Sequence, residues 1–127
     1  MIYLDFQKAF DRVPHERLIL KLAAHGIDGK QLEWIEKWLL DRKQRVVING
    51  VFSGRKDVLS GVPQGCVFGP LLFVIYINYT DRFIVSLILK FADDTKIYHV
   101  VNSSTAIENL RSDLHNLVAW SNEWQMF

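Results

Sequence analysis

Two apolar, β-prone runs near the end of the chain are separated by only three residues. The runs cover 84–92 and 96–101, and Asp93, Asp94 and Thr95 lie between them. Three residues can join two antiparallel strands, but they cannot make the long crossover that parallel strands require. The pattern therefore predicts an antiparallel hairpin with two carboxylates at its bend.

The remaining sequence predicts helices and a further hairpin. An apolar stretch at 1–6 predicts a first strand. Apolar periodicity predicts helices at 14–26, 30–40 and 67–79, and a last helix that begins at the capping-box sequence of 105–108. A second hairpin is predicted at 45–53, because Asn49-Gly50 is a favoured two-residue turn. The predicted fold class is α+β, with an antiparallel sheet packed against helices.

Composition limits the class of protein. A chain of 127 residues that is 50% hydrophobic fits one compact domain, or a piece of a larger one, and excludes a disordered chain. The single cysteine, Cys66, excludes an internal disulfide and a multi-cysteine zinc site. No apolar run is long enough to span a bilayer, and Asp5 and Lys8 interrupt any early signal-like stretch. We therefore expect an intracellular protein without a membrane partner.

Acidic residues within apolar strands indicate where chemistry could occur. Asp93 and Asp94 lie at the predicted bend, and Asp5 lies near the end of the first strand. Adjacent side chains on a straight strand point to opposite faces, so two neighbouring aspartates can share a target only at a turn. If the first strand lies beside the hairpin, three carboxylates converge and require a cation. Oxygen ligands favour Mg²⁺ or Mn²⁺.

Each acidic signal also has an ordinary structural explanation. An Asp-Asp pair in a hairpin is commonly turn chemistry, and an aspartate at a strand end is commonly a cap. Asp11 comes shortly before Pro14, and we expect it to cap the following helix rather than to bind metal. A basic patch is formed by Lys37, Arg42, Lys43 and Arg45. This patch could meet nucleic-acid phosphates, or it could be a solvated charged face.

Three motifs, taken in order, indicate a family. They are Tyr3-Leu-Asp-Phe-Gln-Lys-Ala-Phe-Asp11, Ser60-Gly-Val-Pro-Gln-Gly65 and Phe91-Ala-Asp-Asp94. The series resembles the reverse transcriptases of non-LTR retrotransposons, and the likeness covers essentially the whole chain. It implies a polymerase palm with partial fingers elements. Residues 1–127 would then be one partial reverse transcriptase domain, from the first catalytic strand to just past the catalytic hairpin.

The resemblance also implies a metal site. Asp5, Asp93 and Asp94 match the catalytic carboxylates of the family, which also bind the metal ions. The backbone carbonyl of Phe6 would complete the shell of one ion. The implied cofactor is a pair of Mg²⁺ ions, with Mn²⁺ as a substitute, one activating the primer 3′-hydroxyl and the other holding the triphosphate.

Three further residues match positions that contact nucleotide or template. Phe10 matches the aromatic residue that excludes a ribose 2′-hydroxyl, although a plain core phenylalanine would also fit that position. Gln64 and Gly65 match the loop that contacts the templating base pair; without the family, that loop is merely a connection between elements. The implied partners are an RNA template, a DNA primer and deoxynucleoside triphosphates.

Two functions therefore remain open. The first is the palm of an RNA-directed DNA polymerase, which the three intact carboxylates favour. The second is a catalytically inactive, truncated remnant of a mobile element with at most weak RNA or metal binding. We expect the substrate-gripping fingers and the thumb to be missing from this chain, which favours the second for the chain acting alone. A nucleotide cyclase is discounted, because the hairpin reads Phe91-Ala-Asp-Asp94.

Overall fold

The computed structural model describes residues 1–126 and combines short strands with helices. The strands are β1 (Ile2–Leu4), β2 (Lys43–Gln44), β3 (Val47–Ile48), β4 (Val51–Phe52), β5 (Lys56–Asp57), β6 (Leu87–Phe91) and β7 (Asp94–Tyr98). The helices are α1 (Ala9–Arg12), α2 (His15–Ala24), α3 (Gly29–Leu39), α4 (Phe68–Ile77) and α5 (Ser104–Glu123). The α+β class and the antiparallel pairing predicted from the sequence are confirmed.

The main sheet has three antiparallel strands in the order β1-β7-β6. Ile97 in the central strand pairs with Ile2 on one side and with Ile88 on the other. Ile97 is fully buried, whereas Leu87 and Leu89 on β6 are exposed. Residues that alternate along a strand lie on opposite faces. One face of the sheet therefore contributes to the interior, and the other remains open.

The helices build the hydrophobic core beside this sheet. Their buried apolar residues recur at helical spacing, as Leu18 and Leu22 do on α2 and as Ile35 and Leu39 do on α3. α4 is apolar nearly all round, and its residues Leu72, Phe73 and Tyr76 lie in the centre of the core. Among residues 1–126, no helix combines the length and the apolar character that crossing a membrane would need.

A two-stranded ribbon, residues 43–57, projects from this core. β3 pairs with β4 around the Asn49-Gly50 turn, so the predicted hairpin is confirmed. Both turn residues have a positive φ, 50° and 79°, as a two-residue hairpin turn of this kind requires. β2 and β5 then pair at the base and lengthen the hairpin beyond its predicted bounds. Every residue of the ribbon is exposed.

Two predicted helix caps are wrong. α5 begins at Ser104, where the Ser103 hydroxyl accepts a hydrogen bond from the Ala106 amide at 3.2 Å. The cap is therefore Ser103, which precedes the capping box predicted at 105–108. Asp11 does not cap the second helix. It lies within the short helix α1, and α2 begins after Pro14 without a side-chain cap.

Candidate active site

Two of the predicted catalytic residues lie at one end of the main sheet. The β1–β7 ladder closes with the pair Leu4 and Thr95. Asp5 follows the first of these residues, and Asp94 precedes the second. Both aspartates are exposed. Each adjoins a less exposed residue, Leu4 or Thr95, whose side chain points to the covered face of the sheet. Two of the three carboxylates thus lie at the same end of two hydrogen-bonded strands.

The turn between β6 and β7 differs by one residue from the prediction. Phe91 pairs with Asp94, so the two turn residues are Ala92 and Asp93, and Asp94 opens β7. The tighter turn is made possible by Ala92, whose φ of 52° lies in the left-handed region. A residue with a Cβ loses about 1 kcal/mol in that region. Ala92, the residue that precedes the two aspartates, is therefore in a strained backbone conformation.

The donor chemistry of this sheet end suits a hard cation. Asp5, Asp93 and Asp94 offer carboxylate oxygens, and the backbone carbonyl of Phe6 adds another oxygen; these are the ligands that Mg²⁺ prefers. Among residues 1–126, however, no three His, Cys, Asp or Glu side chains form a group able to hold a metal ion. The assignment of these four residues as metal ligands therefore remains a prediction.

A buried aspartate on α5 holds the open end of the β6–β7 hairpin. The Asp113 carboxylate accepts hydrogen bonds from the backbone amides of Val85 and Ser86 at 2.9 and 2.8 Å. Burial raises the pKa of Asp113, but hydrogen bonds from Ser86 and Val85 oppose burial and bring the pKa below its usual value. The Ser86 hydroxyl is also hydrogen-bonded to His99 at 2.8 Å. Residues before β6 and after β7 are thus tied to one helix.

Sequence reasoning missed Asp113, although a signal was present. The residue falls within the apolar stripe of α5, between Leu110 and Leu117 at helical spacing. A carboxylate at such a position is buried only when it has partners. The partners here are backbone amides, and the order of residue types in a sequence does not show which amides a side chain will meet.

The loop at 60–65 is fixed to α1 by backbone contacts. The Gly61 amide donates to Val13 O, and the Val62 amide donates to Phe10 O, each at 2.8 Å. Gly61 has a φ of 86°, and a Cβ there would lie 2.7 Å from backbone atoms of Phe10 and Asp11. Glycine is required at this position for both its φ and its lack of a side chain.

The same loop is closed on its other side by α4. A Cβ on Gly69 would lie 1.7 Å from the Pro63 carbonyl oxygen, so the helix can approach the loop only through a glycine. Gln64 and Gly65, the predicted template-contacting residues, are exposed at the far end of the loop. Gly65 has a φ of 79°, a left-handed backbone conformation that favours glycine at this position.

Phe10, the residue predicted to exclude ribose, packs partly into the core. Its ring stacks on Phe73, with centroids 4.3 Å apart and planes 22° from parallel. Phe10 remains half-buried rather than fully enclosed. The packing explains how the ring is held, and contact with a sugar remains a prediction. Phe6 directs its ring towards Trp120, at 6.1 Å between centroids, so the predicted role of Phe6 uses its backbone alone.

A second cluster secures the loop to α2 and α3. His15 is buried, and its Nε2 donates to Gly61 O at 2.8 Å. The Arg42 guanidinium donates to the same oxygen at 2.5 Å and to Leu39 O at 3.0 Å. Burial lowers the pKa of His15, and the nearby charge of Arg42 lowers the pKa further, against the hydrogen bond to Gly61. A neutral imidazole can therefore donate here without placing a second charge beside Arg42.

A buried lysine fixes the end of α4. The Lys21 ammonium donates to the carbonyls of Tyr76 and Asn78 and lies 4.1 Å from the ring centroid of Trp124. The Trp120 ring is 5.1 Å away, so two rings of α5 and its C-terminus contribute cation–π contacts. Burial lowers the pKa of Lys21 to about 8. The cluster joins α2, α4 and α5 at the end of α4, which precedes the β6–β7 hairpin in the chain.

Beside the loop lies a polar cavity of about 410 Å³. It is lined by residues from α1, the ribbon base and the loop, which include Asp11, Arg42, Lys43, Gln44, Ser60 and Gln64. The predicted template-contacting residue Gln64 therefore shares a cavity with two basic side chains. A cavity of this composition can accept an anionic group such as a phosphate.

Comparison with known proteins identifies the family. Residues 1–127 match the family described as "Reverse transcriptase (RNA-dependent DNA polymerase)". The chain belongs to the reverse transcriptase family. The resemblance predicted from the three motifs is thereby confirmed.

Similar proteins come from mobile elements of insects. The chain is 30% identical over 131 residues to the probable RNA-directed DNA polymerase from transposon X-element of Drosophila melanogaster. It is 33% identical over 135 residues to the RNA-directed DNA polymerase from mobile element jockey of the same fly. Each alignment covers 98% of this chain and 14% of the relative. The chain is thus a segment of a reverse transcriptase domain, about one-seventh as long as these relatives.

A third relative extends the comparison to another insect. A segment of 78 residues is 31% identical to the retrovirus-related Pol polyprotein from type-1 retrotransposable element R2 of Popillia japonica. That alignment covers 61% of this chain and 13% of the relative. The relatives therefore support a non-LTR retrotransposon origin for the segment.

Proposed function

We propose that this chain is the palm segment of an RNA-directed DNA polymerase and carries its catalytic carboxylates. The observation that carries the proposal is the end of the β1–β7 ladder. There Asp5 and Asp94 flank the last strand pair, and Asp93 occupies the adjoining turn. In a member of the reverse transcriptase family, this is where the predicted metal-binding residues should meet.

The chain's own residues would hold and orient the reacting groups. Asp5, Asp93 and Asp94 would bind two Mg²⁺ ions together with the backbone carbonyl of Phe6. When bound, the ions would supply charge neutralisation for phosphoryl transfer and would favour the attacking 3′-hydroxylate. The anchored hairpin keeps its carboxylates fixed, which limits the reorganisation needed during reaction. Asp113 would contribute through this anchoring, as a positioning residue.

Substrate selection would lie with the loop and α1. Phe10, stacked on Phe73, would exclude a ribose 2′-hydroxyl from the sugar position. Gln64 and Gly65 would contact the templating base pair. The substrates would be an RNA template, a DNA primer and deoxynucleoside triphosphates, and we expect the parent protein to act inside the cell.

The decisive experiment uses a whole polymerase. Residues 1–127 would replace the matching segment of the jockey enzyme, and primer extension on an RNA template would be measured with Mg²⁺. We expect Asp93→Asn or Asp94→Asn to lower extension by at least about 10³-fold, because the charge that holds the cation is lost. Glu108→Gln, a charge change at an exposed position of α5, should leave extension unchanged. Extension that survives both hairpin substitutions would favour the inactive remnant.

Sugar selection provides a separate test in the same enzyme. Phe10→Ala should admit ribonucleotides more readily while leaving the metal requirement unchanged. An unchanged ratio of deoxyribonucleotide to ribonucleotide incorporation would assign Phe10 to the core alone. The isolated 127-residue chain should show no measurable extension, because positioning by fingers and thumb supplies much of the rate enhancement.

A further inference from the structure

A hydroxyl group without a partner lies inside the main sheet. Thr95 is 2% exposed and belongs to β7, the central strand of that sheet. Among residues 1–126, its hydroxyl oxygen is the only buried side-chain nitrogen or oxygen that has no hydrogen-bond partner. Such a group destabilises the folded state, because it has lost its hydration and gained no hydrogen bond. A valine of the same shape would pack there without this loss, so the hydroxyl points to a partner from outside the chain.

Thr95 lines a cavity of about 190 Å³ between the main sheet and α5. The walls of this cavity are mostly apolar, and they include Leu4, Phe6, Leu114, Leu117 and Met126. Leu117 and Met126 are buried, whereas Asp5 and Val118, which also line the cavity, are exposed. The cavity therefore extends from the interior of the chain to its surface, and a small molecule can enter it.

The size of the cavity matches a single aromatic ring with a small substituent. An engineered apolar cavity of about 150 Å³ in another protein binds benzene. The cavity beside Thr95 is somewhat larger, and its leucine and methionine side chains are suitable contacts for a ring, since a thioether sulfur packs well at a ring edge. Water is a poorer occupant, because each buried water needs about three polar partners and the walls offer few.

The Thr95 hydroxyl determines the polar group of the ligand. A ligand hydroxyl both donates and accepts, so it can pair with the threonine hydroxyl in either orientation. Ser121, the other hydroxyl residue that lines the cavity, already donates to Val118 O at 3.0 Å. An ammonium group would pair with Asp5 instead, but it would lose hydration against the apolar walls. The chemistry of the site therefore favours a neutral aromatic alcohol.

We propose that this cavity binds a small aromatic alcohol, with its ring against α5 and its hydroxyl hydrogen-bonded to Thr95. Binding itself requires no catalytic role of the chain. The site nevertheless adjoins the predicted metal ligands, since Asp5 lines the cavity and Asp94 precedes Thr95 in the chain. A bound ligand would alter the position of Asp5 and slow primer extension, a consequence that rests on the proposed function.

The first test compares two ligands of the same shape on the 127-residue chain. p-Cresol has a hydroxyl where p-xylene has a methyl group, and isothermal titration calorimetry would give both dissociation constants. Thr95→Val makes the same exchange on the protein. The ratio of the p-xylene constant to the p-cresol constant should be about fivefold lower in Thr95→Val than in the original chain, which corresponds to one net hydrogen bond. An unchanged ratio, or no saturable binding of p-cresol, would overturn the proposal.

Thermal unfolding checks this variant against a matched control. Thr95→Val should raise Tm in the absence of ligand, because it removes a buried hydroxyl without a partner. Thr80 is similarly buried, at 4% exposed, but its hydroxyl donates to Ile77 O. Thr80→Val should therefore lower Tm and leave the ratio of the two constants unchanged. A lower Tm for Thr95→Val would show that its hydroxyl already has a partner such as bound water, and an equal fall of the ratio in both variants would show a nonspecific effect; either result would overturn the proposal.

NMR spectroscopy locates the bound ring. Nuclear Overhauser effects from p-cresol should reach the methyl groups of Leu114, Leu117 and Met126, and effects confined to other residues would overturn the proposal. Benzylamine tests the charged alternative. If benzylamine binds more tightly than p-cresol and Thr95→Val leaves its affinity unchanged, Asp5 is the polar partner of the site and the proposal is wrong.

The outcome can be separated from that of the proposed function. In the jockey enzyme that carries residues 1–127, saturating p-cresol should lower kcat for primer extension and change KM for deoxynucleotides little, and the loss should be smaller in Thr95→Val. An unchanged kcat would overturn this effect on extension. Binding through Thr95 together with extension that is indifferent to Asp93→Asn would keep the cavity inference and remove the catalytic one. Extension that depends on Asp93, in a chain that does not bind p-cresol, would do the reverse.

Discussion

The chain contains two hairpins of opposite character. The ribbon turns at Asn49-Gly50, a sequence that forms such turns by itself, yet all its residues are exposed. The β6–β7 hairpin, which contains the predicted catalytic aspartates, turns at Ala92-Asp93, where alanine takes a φ of 52°. Its second strand, β7, is the central strand of the main sheet, and Ile97 on it is fully buried. Asp113 holds the residues that precede β6.

The difference distinguishes a hairpin whose structure is set by its own sequence from one whose structure is set by packing against the rest of the chain. The ribbon is specified by its own turn and by pairing between its strands. The β6–β7 hairpin has a poorer turn, with Ala92 in a strained conformation, and relies on pairing with β1 and on the burial of Ile97. Aspartates next to a packed strand can keep a fixed geometry, whereas the exposed ribbon is held mainly by its own turn and strand pairing.

The largest expected effect compares one residue type in both hairpins. Ile97→Ala removes a fully buried side chain from β7, and we expect a loss of about 3 kcal/mol in the free energy of unfolding. Ile48→Ala changes a ribbon residue that is 66% exposed, and the loss should stay below about 0.5 kcal/mol. Urea denaturation measures both. Similar losses would contradict the contrast between the hairpins.

The next effect concerns the buried anchor of the β6–β7 hairpin. Asp113→Ala leaves the amides of Val85 and Ser86 without their acceptor, and this should cost about 2 kcal/mol. Hydrogen exchange should accelerate throughout 85–99. Exchange in the ribbon should remain unchanged, because the ribbon has no contact with Asp113. Accelerated exchange in both hairpins would indicate one cooperative unit.

A smaller effect should appear in the pH dependence of stability. Burial lowers the pKa of Lys21 to about 8 in the folded chain, with Lys90 adding to the shift and Glu123 opposing it. Between pH 8 and 10 the unfolded chain binds more protons at this residue, so the free energy of unfolding should rise with pH. The gain should be on the order of 1 kcal/mol after discounting for solvent screening.

The control for this pH effect is Lys21→Met, which should remove the rise. Measurements should stop near pH 10, because burial raises the pKa of Tyr76 and stability falls as unfolded tyrosine ionises above that pH. Opening of the ribbon, measured by hydrogen exchange after correction for intrinsic rates, should not follow this pH profile. A rise that persists in Lys21→Met would assign it to another group.

The smallest effect tests the two turns. Ala92→Gly removes the strain of a Cβ at positive φ, but glycine also makes the unfolded chain more flexible. The net effect should be a gain of about 0.5 kcal/mol in the free energy of unfolding. Gly50→Ala introduces a Cβ at a φ of 79°, and it should increase exchange within the ribbon while leaving global unfolding nearly unchanged. Destabilisation by Ala92→Gly would mean that this turn is not strained.

Much of the fold was predictable because its signals are local. The helices α2, α3 and α4, the ribbon turn and the antiparallel sheet follow from periodicity and from turn chemistry. The family was likewise identifiable from three motifs. The start of α5 was misplaced because the hydroxyl of Ser103, rather than that of Thr105, accepts a hydrogen bond from the first turn, at the Ala106 amide.

The contacts that hold the site were not predictable from the residue pattern. Asp113 accepts from backbone amides, Lys21 donates to backbone carbonyls, and Arg42 donates to the carbonyl of Gly61. Backbone groups are the same in every sequence, so no pattern indicates which of them a buried polar side chain will meet. The assignment of Asp5, Asp93 and Asp94 to metal remains a prediction for a related reason: it depends on how closely three side chains approach.

The glycine contacts around the loop at 60–65 have a mechanical consequence. The loop touches α1 through Gly61 and α4 through Gly69, and at both places backbone lies so close to backbone that an added Cβ would not fit. Backbone hydrogen bonds from Gly61 and Val62 add to this close contact with α1, so we expect displacement of α1 to displace the loop. If Phe10 and Gln64 act as proposed, a sugar pressing on α1 would move the surface that reads the base. Contact with the sugar and contact with the base would then be coupled, because α1 and the loop would move together.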